Sequence, residues 1–91
     1  MIGSFRHKGL KELFEIGDSR RIAPGLLKRI RLRLDAIHAA SDLAELSQPG
    51  FDFHPLRGKP KRYSIHVNGP VCITFAWDKG EALLLDLEQY H

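Results

Sequence analysis

Cysteine is nearly missing from this chain: Cys72 is the only one in 91 residues. No internal disulfide can form, and a reducing cytoplasm is the compartment that fits. The metal-ligand spacings C-x-x-C, H-x₃-H and H-E-x-x-H are absent as well, which argues against a metal site built from the histidines and Cys72. Long apolar runs are lacking. The opening MIGSFRHKGL holds no stretch suited to a signal peptide, and no segment reaches the length of a membrane helix. Repeats and low-complexity tracts are also missing. One cytoplasmic domain spanning residues 1–91 is expected, with no membrane partner.

What is present points to a folded protein. Hydrophobic residues make up 43% of the chain, too many for disorder and enough for one modest core. The formal charge is +3 with a pI near 9.3. That balance favours a polyanionic or acidic partner, with plain solubility as the competing explanation.

Taken in order, Ile2 to Phe5 reads as a short strand. Leu10, Leu13 and Phe14 recur at helical spacing, predicting a helix over His7–Ile16 with Gly17 as its C-cap. Pro24 suits a first helical turn. Leu27, Ile30, Leu34 and Ile37 then form one stripe, predicting a helix to about Ala40. Lys28, Arg29, Arg31 and Arg33 fall off that stripe and read as a solvated face. Asp42 and Glu45 have capping-box spacing. Phe51 and Phe53 alternate with Asp52 and His54 as a strand, and RGKPK at 57–61 is a basic loop. Tyr63, Ile65 and Val67 alternate with polar residues, as do Val71, Ile73 and Phe75. A three-residue loop at 68–70 pairs Val67 with Val71, Ile65 with Ile73 and Tyr63 with Phe75, gathering the apolar residues on one face. Cys72 then lies beside His66 and Ser64 on the open face, where exchange for arginine should cost little. Ala82 to Leu87 reads as a central strand covered on both faces.

The stretch FDFHPLRGKPKRYSIHVNGPVCITF concentrates the chemistry. His54, His66 and the C-terminal His91 suit proton transfer near neutral pH. RNA cleavage needs a base for the ribose 2′-OH, a cation at the phosphorane and an acid for the leaving oxygen. Arg57, Lys59, Lys61 and Arg62 supply cations, and Tyr90 can stack on a base. No cofactor is required, because RNA carries its own nucleophile. A Cys–His hydrolase is the other reading, but a strand cysteine with no helix N-terminus behind it has no means of becoming a thiolate.

The opening MIGSFRHKGLKELFE, the FHPLRG segment, the YSIHVNG…ITFAW hairpin and the terminal Tyr-His together resemble the HigB (host inhibition of growth) toxins of bacterial toxin–antitoxin systems, within the RelE superfamily of ribosome-dependent mRNA interferases. The resemblance implies an α+β fold, two N-terminal helices packed on a curved, mostly antiparallel sheet. It implies a bacterial cytoplasmic toxin that enters the 30S A site of the ribosome, cuts mRNA there without metal, and is neutralised by a HigA-type helix-turn-helix antitoxin. By the same resemblance His54 and His91 are the acid–base pair, Arg57 a phosphate contact and Tyr90 a positioning residue. Lys59, Lys61, Arg62, His66 and Gln89 are then expected along the RNA. Two positions depart from the family. Cys72 stands where an arginine is usual, and Gln89 where a carboxylate is usual, which predicts reduced cutting. A catalytically impaired binding module that holds its antitoxin is the alternative; a gyrase-directed, ParE-type target fits the terminal Tyr-His less well.

Overall fold

A computed structural model describes residues 1–89 of the chain. Helix α1 spans Lys8–Ile16. His7 caps it, its Nδ1 accepting the Leu10 N–H at 3.2 Å. Gly17 ends it at φ 93°, a left-handed conformation that glycine adopts without steric cost. A 3₁₀ turn at Pro24–Leu26 leads into α2, Leu27–Ala39. Proline opens that turn, so the expected single helix from Pro24 begins with a tighter first turn. Ile30, Leu34 and Ile37 are fully buried, and Leu27 only partly so.

Four strands follow: β1 (His54–Pro55), β2 (Tyr63–Asn68), β3 (Val71–Asp78) and β4 (Glu81–Gln89). They form one sheet in the order β1-β2-β3-β4, every neighbour antiparallel. Leu10 and Leu13 of α1 and Ile30, Leu34 and Ile37 of α2 share a single core with Ile65, Val67, Ile73, Phe75, Ala82 and Leu85 of the sheet. Burying each of these side chains other than Ala82 contributes about 1.5–3 kcal/mol. The architecture is α+β, with the helices on one face of the sheet.

Several sequence expectations change. The strand expected at Ile2–Phe5 is reduced to two isolated parallel bridges, Ile2 to Ala82 and Phe5 to Leu85. Between them β4 bulges, and the Ser4 hydroxyl takes the Leu84 N–H at 2.9 Å in place of a ladder bond. Ala82–Leu87 is also not the central, doubly covered strand expected. β4 ends the sheet order, and Leu84 sits at φ 56° and is 48% exposed, while Leu85 turns into the core.

The strand expected at Phe51–His54 shrinks to His54–Pro55, because the chain turns at Gly50 (φ 85°) and Asp52 (φ 44°), outside the extended region that a regular ladder requires. In the β2–β3 hairpin, Ile65 faces Ile73 and Tyr63 faces Phe75, as the apolar matching predicts. The loop is nonetheless two residues, Gly69-Pro70, since Asn68 pairs with Val71. A bulge at Val67 absorbs the one-residue slip and lets the short loop and the apolar register coexist.

The capping box is also displaced. Asp42 caps a 3₁₀ turn at Leu43–Leu46 through the Ala44 N–H, whereas Glu45 reaches back to the N–H and hydroxyl of Ser41. The basic face of α2 divides. Lys28 and Arg31 are exposed, but Arg33 is half-buried and bonded to the sheet.

Candidate active site

Strand register places two polar rows on the face turned away from the helices. One runs His54–Ser64–Thr74–Asp86 across all four strands, the other His66–Cys72–Glu88 across three. Between β1 and the β2–β3 turn lies a cavity of about 300 Å³. His54, Ser64, His66 and Cys72 line it on the polar side, with Leu56, Pro70 and Val71 as apolar wall.

Both histidines are held through one ring nitrogen. His54 Nδ1 lies 2.8 Å from the Asp52 carbonyl oxygen. A carbonyl only accepts, so Nδ1 carries the hydrogen in the neutral ring and Nε2 keeps its lone pair. His66 shows the mirror arrangement, Nε2 donating to the Gly69 carbonyl at 3.2 Å and Nδ1 left as the acceptor. In the neutral form each ring therefore carries its lone pair on the other nitrogen.

Cys72 is buried, with 5% of its surface exposed, so the open position expected for it is in fact closed. Burial pushes its thiol above the ordinary value; a hydrogen bond with Ser64 opposes this, the Glu88 charge adds to it, and Arg62 opposes it. The balance keeps the thiol protonated, which removes the cysteine-nucleophile reading. Thr74 is fully buried beside it and donates to Glu88 Oε2. Arg62 Nη1 meets the same carboxylate oxygen at 2.8 Å and the Thr74 hydroxyl at 3.4 Å.

The expected site residues are thus only partly gathered. His54, His66 and Cys72 share the cavity. Arg57, Lys59 and Lys61 are exposed on the loop between β1 and β2 and do not line it. Arg62 belongs to the Glu88 pair on the same face. Gln89 is exposed at the end of β4 opposite Val71, a register position on the helix side of the sheet. Tyr90 and His91 lie outside the described residues. Among the described residues, no group of three or more His, Cys, Asp or Glu side chains is placed to hold a metal ion.

Arg33 and Arg29, expected on a solvated face of α2, reach the sheet instead. Arg33 Nε donates to the His66 carbonyl at 2.6 Å, and Arg29 Nη1 reaches the Val67 carbonyl at 3.5 Å. Together they cap β2 where β1 no longer covers it. Burial, and then the Arg29 charge, lower Arg33 from its ordinary value. The available cue was position: Arg29 and Arg33 sit one helical turn apart, on the flank of the buried stripe rather than opposite it.

The model of a family described as "RelE-like toxin of type II toxin-antitoxin system HigB" matches residues 3–91. The chain is also 42% identical over 92 residues to the Endoribonuclease HigB of Proteus vulgaris, across the full length of both proteins. With the α+β architecture and the polar cavity between β1 and the β2–β3 turn, these matches establish that the chain belongs to the HigB-like family of RelE-like toxins of type II toxin–antitoxin systems.

Proposed function

We propose that this protein is an mRNA endoribonuclease that enters the ribosomal A site and cuts the message by acid–base catalysis, and that a HigA-type helix-turn-helix antitoxin restrains it in the bacterial cytoplasm. The observation that carries the reading is His54, whose Nδ1 is committed to the Asp52 carbonyl at 2.8 Å and whose Nε2 is left to accept a proton at the cavity. Family membership and the relative named as an endoribonuclease support the same reaction class.

In this reading His54 Nε2 removes the proton of a ribose 2′-hydroxyl. The resulting alkoxide attacks the adjacent phosphorus, and the bond to the leaving 5′-oxygen breaks. His91 protonates that oxygen, Tyr90 stacks on a base, and Arg57 contacts the phosphate. The reaction needs no metal, since the nucleophile belongs to the substrate. The exposed Lys59 and Lys61 track the RNA backbone beside the cavity, with Arg62 and His66 contributing along the same path, while Gln89 lies off it on the helix side of the sheet. With Cys72 in place of a cation, phosphorane charge is less well balanced. One lost charge-stabilising donor costs about 10²–10³ in rate, so slow cutting is expected.

The test is primer extension on ribosomes programmed with a defined message. His54→Ala should fold normally and lower the cleavage rate by about 10²–10⁴. A folded wild-type protein that leaves the message intact on ribosomes would instead make this chain an antitoxin-binding module.

A further inference from the structure

We propose that Arg33, on the helix side of the sheet, is a positioning residue for His54: it holds the 50–52 turn that presents the Asp52 carbonyl and so selects the His54 tautomer. The inference rests on the reading of His54 as the base.

The contacts run in sequence. Arg33 Nε donates to the His66 carbonyl at 2.6 Å and Nη2 to the Gly50 carbonyl at 3.3 Å. Nη1 returns to the Arg29 carbonyl at 3.0 Å, and the guanidinium lies 5.0 Å from the centre of the Phe51 ring. One planar group thereby ties β2 to the turn, donating from its edge and stacking on its face. The Phe51 carbonyl adds a bond from the His66 N–H at 2.6 Å. Gly50 at φ 85° takes the turn without steric cost, but the non-glycine Asp52 at φ 44° holds a left-handed conformation that costs an L residue free energy. Such a conformation persists where its surroundings over-determine it. The Asp52 carbonyl, so aimed, receives the His54 Nδ1–H.

The consequence is chemical. A neutral imidazole in water favours the Nε2–H form, which has no lone pair at Nε2. The Asp52 carbonyl reverses that preference and leaves Nε2 basic. Lysine at position 33 would keep the charge but not the fork, so a lysine variant separates positioning from simple attraction of RNA.

The experiment uses the full chain, ¹⁵N-labelled, with long-range ¹⁵N–¹H correlations reporting each histidine tautomer. Wild type should hold His54 in the Nδ1–H form. Arg33→Lys and Arg33→Ala should move it toward Nε2–H. Gly50→Ala, which strains the turn at its other end without touching a charge, should do the same. Kinetically, Arg33→Lys should lower kcat on programmed ribosomes at least about tenfold while KM stays within about twofold, and should displace the rising limb of the pH–rate profile. An unchanged His54 tautomer in Arg33→Lys overturns the proposal. So does full rescue by lysine combined with a raised KM in Arg33→Ala, the pattern of a direct phosphate contact. Should Arg33→Ala fail to fold by thermal melting, the lysine and Gly50→Ala variants decide the matter. A wild type that does not cleave refutes the reading of His54 as base, while the tautomer measurement still tests Arg33 by itself.

Discussion

The two faces of the β-sheet are closed at their centres by opposite means. On the helix side Ile65, Val67, Ile73 and Phe75 have no exposed surface and belong to the apolar core. On the other side Ser64, Cys72 and Thr74 are 3%, 5% and 0% exposed, while the described helices pack into the core on the opposite face. Thr74 and Cys72 are closed in by side chains instead, with Arg62 and Glu88 joined over Thr74. A sealed polar face needs its hydrogen bonds made, because an unsatisfied buried group costs about 1–3 kcal/mol. Among the described residues, no buried side-chain nitrogen or oxygen lacks a partner. Packing density stabilises the first face, and the second is ordered by specific pairing, leaving at its margin a cavity lined by His54 and His66.

The comparison breaks most visibly at Phe75. Phe75→Ala empties the centre of the apolar face and should cost about 3–5 kcal/mol, read as the shift of a denaturant midpoint. The polar face should respond less steeply but more selectively. Cys72→Arg, which would be nearly free at an exposed site, should cost about 1–3 kcal/mol because position 72 is closed, while Cys72→Val stays under about 1.5 kcal/mol. Equal stability of the arginine variant and wild type would show that this face opens readily.

A pH series sharpens the contrast further. The Cys72 thiol is raised above its ordinary 9.0, chiefly by burial. The folded state therefore holds that proton more tightly than the unfolded chain. Its stability is whole below pH 9.0 and declines as pH climbs through the folded value, a slope that Cys72→Val should remove. The smallest effect is expected at Arg31, whose pair with Asp35 spans 3.8 Å with side chains 46% and 56% exposed. Arg31→Ala should change stability by less than about 0.5 kcal/mol, in contrast to Arg33 two residues on.

How much of this could be read from sequence differs by element. α1 and α2 were legible because helical period, Gly17 and Pro24 are local properties of the chain. The hairpin core, Ile65 to Ile73 and Tyr63 to Phe75, was legible because apolar residues must share a face. His54 stood out through its neighbours in FHPLRG, and the family resemblance followed from those same segments. The bulges at Val67 and in β4 were not legible, since an extra residue in a ladder leaves the apolar count unchanged. That miscount made β4 look central and Leu84 look buried.

Sequence alone thus determined the fold class, the helix boundaries to within a turn, the family and the residue types available for proton transfer. Each is set by local period, by capping chemistry or by contiguous motifs. Tertiary structure decided what surrounds those residues. It buried Cys72, turned Arg33 from solvent to the carbonyls of Gly50 and His66, and aimed the Asp52 carbonyl at His54. These outcomes join positions 33, 50, 52, 54, 66 and 72, which are distant or unpatterned along the chain. Hydrogen-bond direction and burial exist only after the strands have paired, so no periodicity in the sequence encodes them.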